Sequence, residues 1–314
     1  MKKLKTIRAV YAYYFPEIRE LISSITKYYP HKEFLKSISP GLDDYEKPII
    51  EKMIKFYQED VKGFKDFGYR YPTNGSSEGI YHLLSKIKTE EPDVPIYSLE
   101  GEYEGYRECA AGMGMKVQEV PEDMEIINNL PVGYWFISNP SARNGNIVEN
   151  NLIKQIADLG NKVILDLAYL GSTKRHMFEL THPNIMAVLT SMSKPFGLFY
   201  YRLGFTFSRE PVKTLYGTKW FKNILSLIIA DKVFGTFTSD YFYKKYSQIQ
   251  KEILKQINNE IGIGIRLSDV FLLGYLTAGD FEKLSNEQKE MVAPFKRGEY
   301  YRFCLTQYFL EREK

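Results

Sequence analysis

Ser191-Met192-Ser193-Lys194-Pro195-Phe196-Gly197 follows an apolar run from Ile185 to Ser191, and Arg202-Leu203-Gly204-Phe205 comes shortly after it. A lysine beside serines is ordinarily a solvated surface residue. This one ends a stretch that reads as a buried strand, and an arginine opens the next apolar run. A buried lysine loses proton affinity and becomes a nucleophile toward an aldehyde. An arginine with two serine hydroxyls can hold a phosphate dianion.

On both sides of this segment short apolar runs alternate with amphipathic stretches. Strands are predicted at Tyr69 to Thr73, Pro95 to Leu99, Met115 to Val120, Gly133 to Ser138, Lys162 to Asp166, Ile185 to Ser191 and Leu203 to Phe207. Helices are predicted at Lys47 to Phe64, Ser76 to Lys88, Tyr103 to Ala111, Glu149 to Leu159, Leu215 to Phe234 and Tyr241 to Ile261. The tail ends in an apolar strand, Tyr300 to Leu305, and a short helical end. This alternation specifies an α/β domain with a largely parallel sheet. In such sheets ligands collect at the carboxyl ends of the strands.

The residues able to do chemistry fall at those ends. Asp166 closes an apolar strand and Ala168-Tyr169 follows it; such an aspartate is also a common turn residue. Thr73-Asn74-Gly75-Ser76-Ser77 is a strand-to-helix turn whose free N–H groups suit an anion, and it is equally a plain capped turn. Glu102-Tyr103-Glu104-Gly105-Tyr106 opens a helix with two aromatics at helical spacing. Asn139-Pro140-Ser141-Ala142-Arg143-Asn144-Gly145 is a polar loop after a strand. Arg302 stands inside the last apolar run, where an unpaired charge is costly, so a bound anion is one explanation and an exposed strand edge is the other.

Taken in order, these segments resemble the class I/II aminotransferases, the fold-type I enzymes that use pyridoxal 5′-phosphate (PLP). The family's Ser-x-Ser-Lys followed by Arg-x-Gly is matched by Ser191 to Gly204, and its Asp-x-Ala-Tyr by Asp166 to Tyr169. The resemblance implies that Lys194 holds PLP as a Schiff base and moves protons at the substrate Cα. It implies that Ser76, Ser77, Ser191 and Arg202 hold the phosphate, that Asp166 pairs with the ring nitrogen, and that Tyr169 bonds the ring oxygen. Tyr103 would stack on the ring, and Arg302 would grip the substrate carboxylate. The clearest departure is the loop resembling Asn-Pro-x-Asn-Pro-x-Gly. Its second asparagine is Ala142 here, so Asn139 or Asn144 compensates, or Tyr169 serves the ring oxygen alone. Tyr45 is a further match, to a tyrosine that reaches a partner subunit's phosphate.

The implied fold is a fold-type I PLP-transferase with a mostly parallel central sheet in the large domain and a reduced C-terminal small domain. The expected division is an arm over 1–45, a large PLP-binding domain over 46–240 and a small domain over 241–314. The expected activity is transamination of an amino acid to a 2-oxo acid. Lyase, decarboxylase or cyclase chemistry on the same scaffold is the alternative, and a non-catalytic PLP-fold protein the remote one.

Composition agrees. The 314 residues carry a formal charge of +3, with 44% hydrophobic residues, which gives no reason to expect a nucleic-acid or membrane partner. Cys109 and Cys304 imply no disulfide framework, and the four histidines (His31, His82, His176, His182) form no metal pattern. Met1-Lys2-Lys3-Leu4-Lys5 resembles the start of a signal peptide, but the stretch after it carries Arg8, Glu17, Arg19 and Glu20 and offers no small-residue cleavage site, so none is expected. The expectation is a cytoplasmic homodimer with interfacial active sites and no metal. Arg107, Arg143 and Lys174 could each meet an acidic substrate or face solvent.

Overall fold

The computed structural model describes residues 4–27 and 41–313. Pro30, His31 and Pro40 lie outside them. Seven strands form the central sheet, in the spatial order Tyr69–Thr73, Gly204–Ser208, Ile185–Ser191, Lys162–Leu167, Tyr134–Ser138, Ile96–Leu99, Val117–Val120. Gly204–Ser208 runs antiparallel to both its neighbours and every other pairing is parallel. Tyr134–Ser138 is buried at every position, and Lys162–Leu167 at all but its first. That pattern reflects cover on both faces, the usual state of a parallel sheet.

The sheet delivers Ser191, Asp166, Ser138 and Thr73 to one edge. Thr73 reaches that edge at a tight crossing. A Cβ on Gly204 would lie 2.1 Å from the Thr190 carbonyl oxygen and 2.9 Å from the Gly75 Cα. No larger residue fits between these backbones.

A second sheet lies at the C-terminus, ordered Arg266–Leu267, Leu273–Thr277, Tyr300–Cys304, Lys296–Arg297 and antiparallel throughout. The 21-residue helix Tyr241–Ile261 leads to it, ending at Gly262 in the left-handed conformation, φ 72°, as helix C-termini commonly do. The N-terminal segment is stitched to this sheet. Thr6 Oγ1 donates to the Cys304 carbonyl at 2.8 Å, and Thr306 Oγ1 donates to the Tyr11 carbonyl at 2.7 Å. The helix Pro16–Lys27 follows it. Among the described residues no helix is long and apolar enough to cross a membrane.

Three sequence expectations change. The helix expected over 47–64 stops at Phe56. Val61–Lys62 instead pairs with Phe178–Glu179, so Tyr57 and Val61 reach the core from a turn and a strand. The helix expected over 215–234 is two, Lys213–Gly217 and Ile224–Thr236. The break is held from outside: Lys222 Nζ pairs with the buried Glu46 and donates to the Leu42 carbonyl at 2.7 Å. The Asn223 side chain then caps the second helix through Ser226 N at 3.1 Å. Finally, the helix expected from Tyr103 begins at Gly105, which leaves Tyr103 in the turn before it.

Candidate active site

The carboxyl edge of the central sheet meets the C-terminal sheet around a cavity of about 440 Å³. Lys194, Asp166, Tyr169, Tyr103, Ser76, Ser77, Ser191, Arg202 and Arg302 all line it. These are nine residues that the sequence motifs assign to one site, and the fold brings them together.

One end of the cavity is a cradle for an anion. The 15-residue helix Ser76–Glu90 starts there, with Ser76 and Ser77 in its first turn, where free N–H groups and the helix dipole favour negative charge. Gly75, at φ 83°, precedes it, and a Cβ there would lie 2.9 Å from Arg202 Nη2 and 3.7 Å from Ser191 Oγ. Arg202 itself stands at φ 47°, left-handed for a non-glycine, a conformation that costs energy and recurs at ligand sites. Its Nη2 is anchored on the Asn74 carbonyl at 2.9 Å, and its Nη1 lies 3.3 Å from Ser193 Oγ. The guanidinium is therefore fixed against the strand-to-helix turn.

Lys194 follows the last residues of Ile185–Ser191. Burial lowers its pKa to about 8, and the guanidiniums of Arg302 and Arg202 push it the same way. Its Nζ donates to the Val10 carbonyl and sits 5.2 Å from the Phe199 ring centre. Asp166 is almost fully buried. Burial raises its pKa to about 7, while hydrogen bonds from Tyr106 and the Ala168 N–H oppose the rise and the charge of Glu102 adds to it. Tyr169 is buried and pushed up to about 12, chiefly by desolvation, so its phenol remains a proton donor.

The other end carries two arginines. Arg302 lies on Tyr300–Cys304, 5% exposed; its Nη2 donates to the Arg8 carbonyl at 2.8 Å and its Nη1 to the Ala142 carbonyl. Arg297 faces the same cavity, 8% exposed, with one contact at 3.3 Å to Glu104 Oε2. The Nε of each is buried without a partner among the described residues, a cost that an anion between them would relieve. Sequence reasoning missed Arg297 because Lys296-Arg297-Gly298-Glu299 reads as an exposed turn. A signal was present. Across that turn Arg297 pairs with Tyr300, and strand alternation then puts Arg297 on the face of Arg302.

Asn139 is a correction: its side chain does not line the cavity. Its Nδ2 donates to the Val148 carbonyl and its Oδ1 accepts from Val148 N, both at 2.9 Å. Asn144 is occupied too, its Oδ1 accepting from Asn146 N at 2.9 Å. Neither asparagine lines the cavity, whereas Ala142, at the position of the missing one, does. The loop is held from beneath by the buried Glu102. Glu102 accepts from Ser138 Oγ, from Ser141 Oγ at 2.5 Å and from Ala142 N at 3.3 Å, and it pairs with Arg143 Nε at 3.4 Å.

Arg143 is committed further to Glu122, Arg107 to Glu119 and Lys174 to Asp269, so protein carboxylates already hold all three. Tyr45 lies outside this chain's cavity lining.

A lysine of weakened proton affinity, a phosphate-sized anion cradle, a buried carboxylate and an aromatic wall, all around one cavity, define a site for PLP. The cradle beside Gly75 fits its phosphate and Asp166 its ring nitrogen.

The comparisons agree with that class. The family described as aminotransferase class I and II matches residues 40–241. A histidinol-phosphate aminotransferase of Thermotoga sp. (strain RQ2) is 28% identical over 173 residues, covering 54% of this chain and 49% of that protein. The chain thus spans about half the length of that curated relative. Among solved structures, the histidinol-phosphate aminotransferase from Sinorhizobium meliloti in complex with pyridoxal-5′-phosphate matches with TM-score 0.65 and 14% identity, covering 96% of this chain and 87% of that one. The L-threonine-O-3-phosphate decarboxylase from Porphyromonas gingivalis matches at 0.59 and 15%, over 84% and 86% of the two chains. This chain belongs to the class I and II aminotransferase family and has its fold.

Proposed function

We propose that the chain is a PLP-dependent aminotransferase acting on an amino acid or a related amine that carries an anionic group. The observation that carries this is Lys194, partly buried beside the anion cradle with its pKa lowered to about 8. PLP, when bound, supplies an aldehyde and an electron-accepting ring that stabilises negative charge at the substrate Cα. Every other requirement falls on the chain itself.

Ser76, Ser77, Ser191 and Arg202 would hold the phosphate, and Tyr103 would wall one face. The Asp166 carboxylate would keep a proton at the ring nitrogen. Tyr169 would present its hydroxyl to the ring oxygen without a second donor at Ala142. Lys194 Nζ would take the proton from the substrate Cα as general base. Arg302 and Arg297 hold the substrate anion by charge-assisted hydrogen bonds. Segment 9–11 covers the cavity and limits water. The relative's name, for a phosphorylated amine, and the second arginine both support an acidic group larger than a lone α-carboxylate.

Phe199, Tyr200, Tyr216, Trp220, Phe221 and Leu225 expose aromatic and apolar surface, with Tyr200 at 87% and Phe221 at 82%. Exposed apolar surface of this kind supports a homodimer. The long helix Tyr241–Ile261 supports the division into a large domain over 46–240 and a small one over 241–314. The free thiols Cys109 and Cys304 support a cytoplasmic setting.

The test is the visible absorption of the purified, PLP-loaded protein with a panel of amino acids and phosphorylated amines. A yellow band that bleaches as an equivalent oxo product appears supports transamination. Release of CO₂ without an oxo product moves the assignment to decarboxylation. Absence of any band after PLP addition removes the cofactor.

A further inference from the structure

Tyr106 is among the largest fully buried side chains of the protein. A phenol there is expensive unless its hydroxyl finds a partner. The partner is Asp166, whose Oδ2 accepts from Tyr106 at 3.1 Å while its Oδ1 accepts from the Ala168 N–H at 3.1 Å. The phenol ring is held by Phe136 at 5.2 Å and, edge-on, by Tyr103 at 5.5 Å between ring centres. Burial and the neighbouring carboxylates keep the phenol far above its ordinary pKa, so toward Asp166 it acts as a donor.

We propose that Tyr106 is a positioning residue for Asp166. Its hydroxyl fixes the carboxylate rotamer at the cavity wall and draws down its basicity, so that a proton shared with a bound ring nitrogen rests on nitrogen. This rests on the PLP reading. The influence is needed because two others oppose it. Asp166 is buried, which favours its protonated form, and Glu102, four residues before Tyr106, brings a second buried carboxylate whose charge acts in the same direction. A carboxyl that kept the proton would leave the ring neutral and a poorer acceptor of electrons. One short segment thus supplies a ring wall, Tyr103, and the two residues that act on Asp166 in opposite senses.

The experiment uses the holoenzyme loaded with PLP labelled with ¹⁵N in the ring, and reads the nitrogen chemical shift. Loss of a hydrogen bond to a charged group changes an equilibrium by roughly tenfold or more. Tyr106→Phe, which keeps the ring and its packing, is expected to move the shift toward neutral pyridine by a partition change of that size, with PLP still bound. Tyr57→Phe is the control. Tyr57 is also fully buried, and its hydroxyl donates to the Leu170 carbonyl at 3.3 Å instead; the control leaves the shift in place.

Should Tyr106→Phe fail to fold, 3-fluorotyrosine at position 106 keeps the shape and strengthens the donor. It holds or moves the signal toward pyridinium. An unchanged shift in folded Tyr106→Phe, an equal shift in Tyr57→Phe, or movement toward neutral pyridine with fluorotyrosine overturns the proposal. Failure of the unsubstituted protein to bind PLP overturns the cofactor reading instead, and the two failures are told apart before any variant is made.

Discussion

The two ends of the cavity are built differently. At the cofactor end the groups stand beside the ends of central-sheet strands, Arg202 just before the start of Gly204–Ser208. Ser191 ends one strand, Asp166 lies next to last in another, and Ser76 begins a helix three residues after Thr73. Backbone pairing holds them, on both sides for the strands of Ser191 and Asp166 and on one side for Tyr69–Thr73. At the substrate end the groups come from a hairpin, Lys296–Arg297 with Tyr300–Cys304, and from segment 9–11. There Arg302 is bonded to the carbonyls of Arg8 and Ala142. This chain therefore puts its central sheet under the proposed cofactor and its C-terminal sheet, with segment 9–11, around the proposed substrate.

Substitutions at the cofactor end should do the most damage. Lys194→Ala removes the group that moves the Cα proton, and turnover should fall by about a thousandfold or more. Rates with any accepted substrate check this, with PLP content measured alongside. Gly75→Ala comes next. It would carry a Cβ into the Arg202 guanidinium at φ 83°, ψ 178°, with strain of about 1–3 kcal/mol from the backbone alone. PLP affinity should drop roughly tenfold in equilibrium dialysis, with substrate selectivity unchanged.

At the substrate end the pattern reverses. Arg297→Ala should raise KM for an anionic substrate by about tenfold, from the loss of a charge-assisted hydrogen bond, and leave the PLP spectrum and affinity alone. If it weakens PLP binding instead, the two ends are not separate.

A milder effect is a pH dependence. Only a neutral amine attacks an aldehyde, and burial lowers the Lys194 pKa from its ordinary value to about 8. The rate of PLP capture by the cofactor-free protein should therefore climb as pH rises toward that value and level above it. A rate still rising toward the ordinary lysine range would mean a solvated lysine.

The same division explains what could be read from the sequence. Motifs at strand ends are local: Lys194 and Asp166 each follow a run of buried residues, and the strand ends themselves assemble the site. Asn139 could not be placed, because its amide is consumed by Val148, nine residues on, in a contact that no periodicity reports. Glu102 sits among Glu100 and Glu104 and reads as a solvated charge, yet it is buried under the loop by two serines and Arg143. The cover provided by Val10 has no local signal at all, since it depends on pairing the two ends of the chain. The helix break near Lys222 is hidden in the same way, being set by contacts with residues 42 and 46.

Everything at the cofactor end depends on Lys194 being the residue that holds PLP. Borohydride reduction of the PLP-loaded protein, followed by digestion and mass mapping of the peptides, reads that attachment site itself. One pyridoxyl group per chain, on Lys194, is the predicted result. A group spread over surface lysines, or found on another residue while Lys194 stays unmodified, would contradict it.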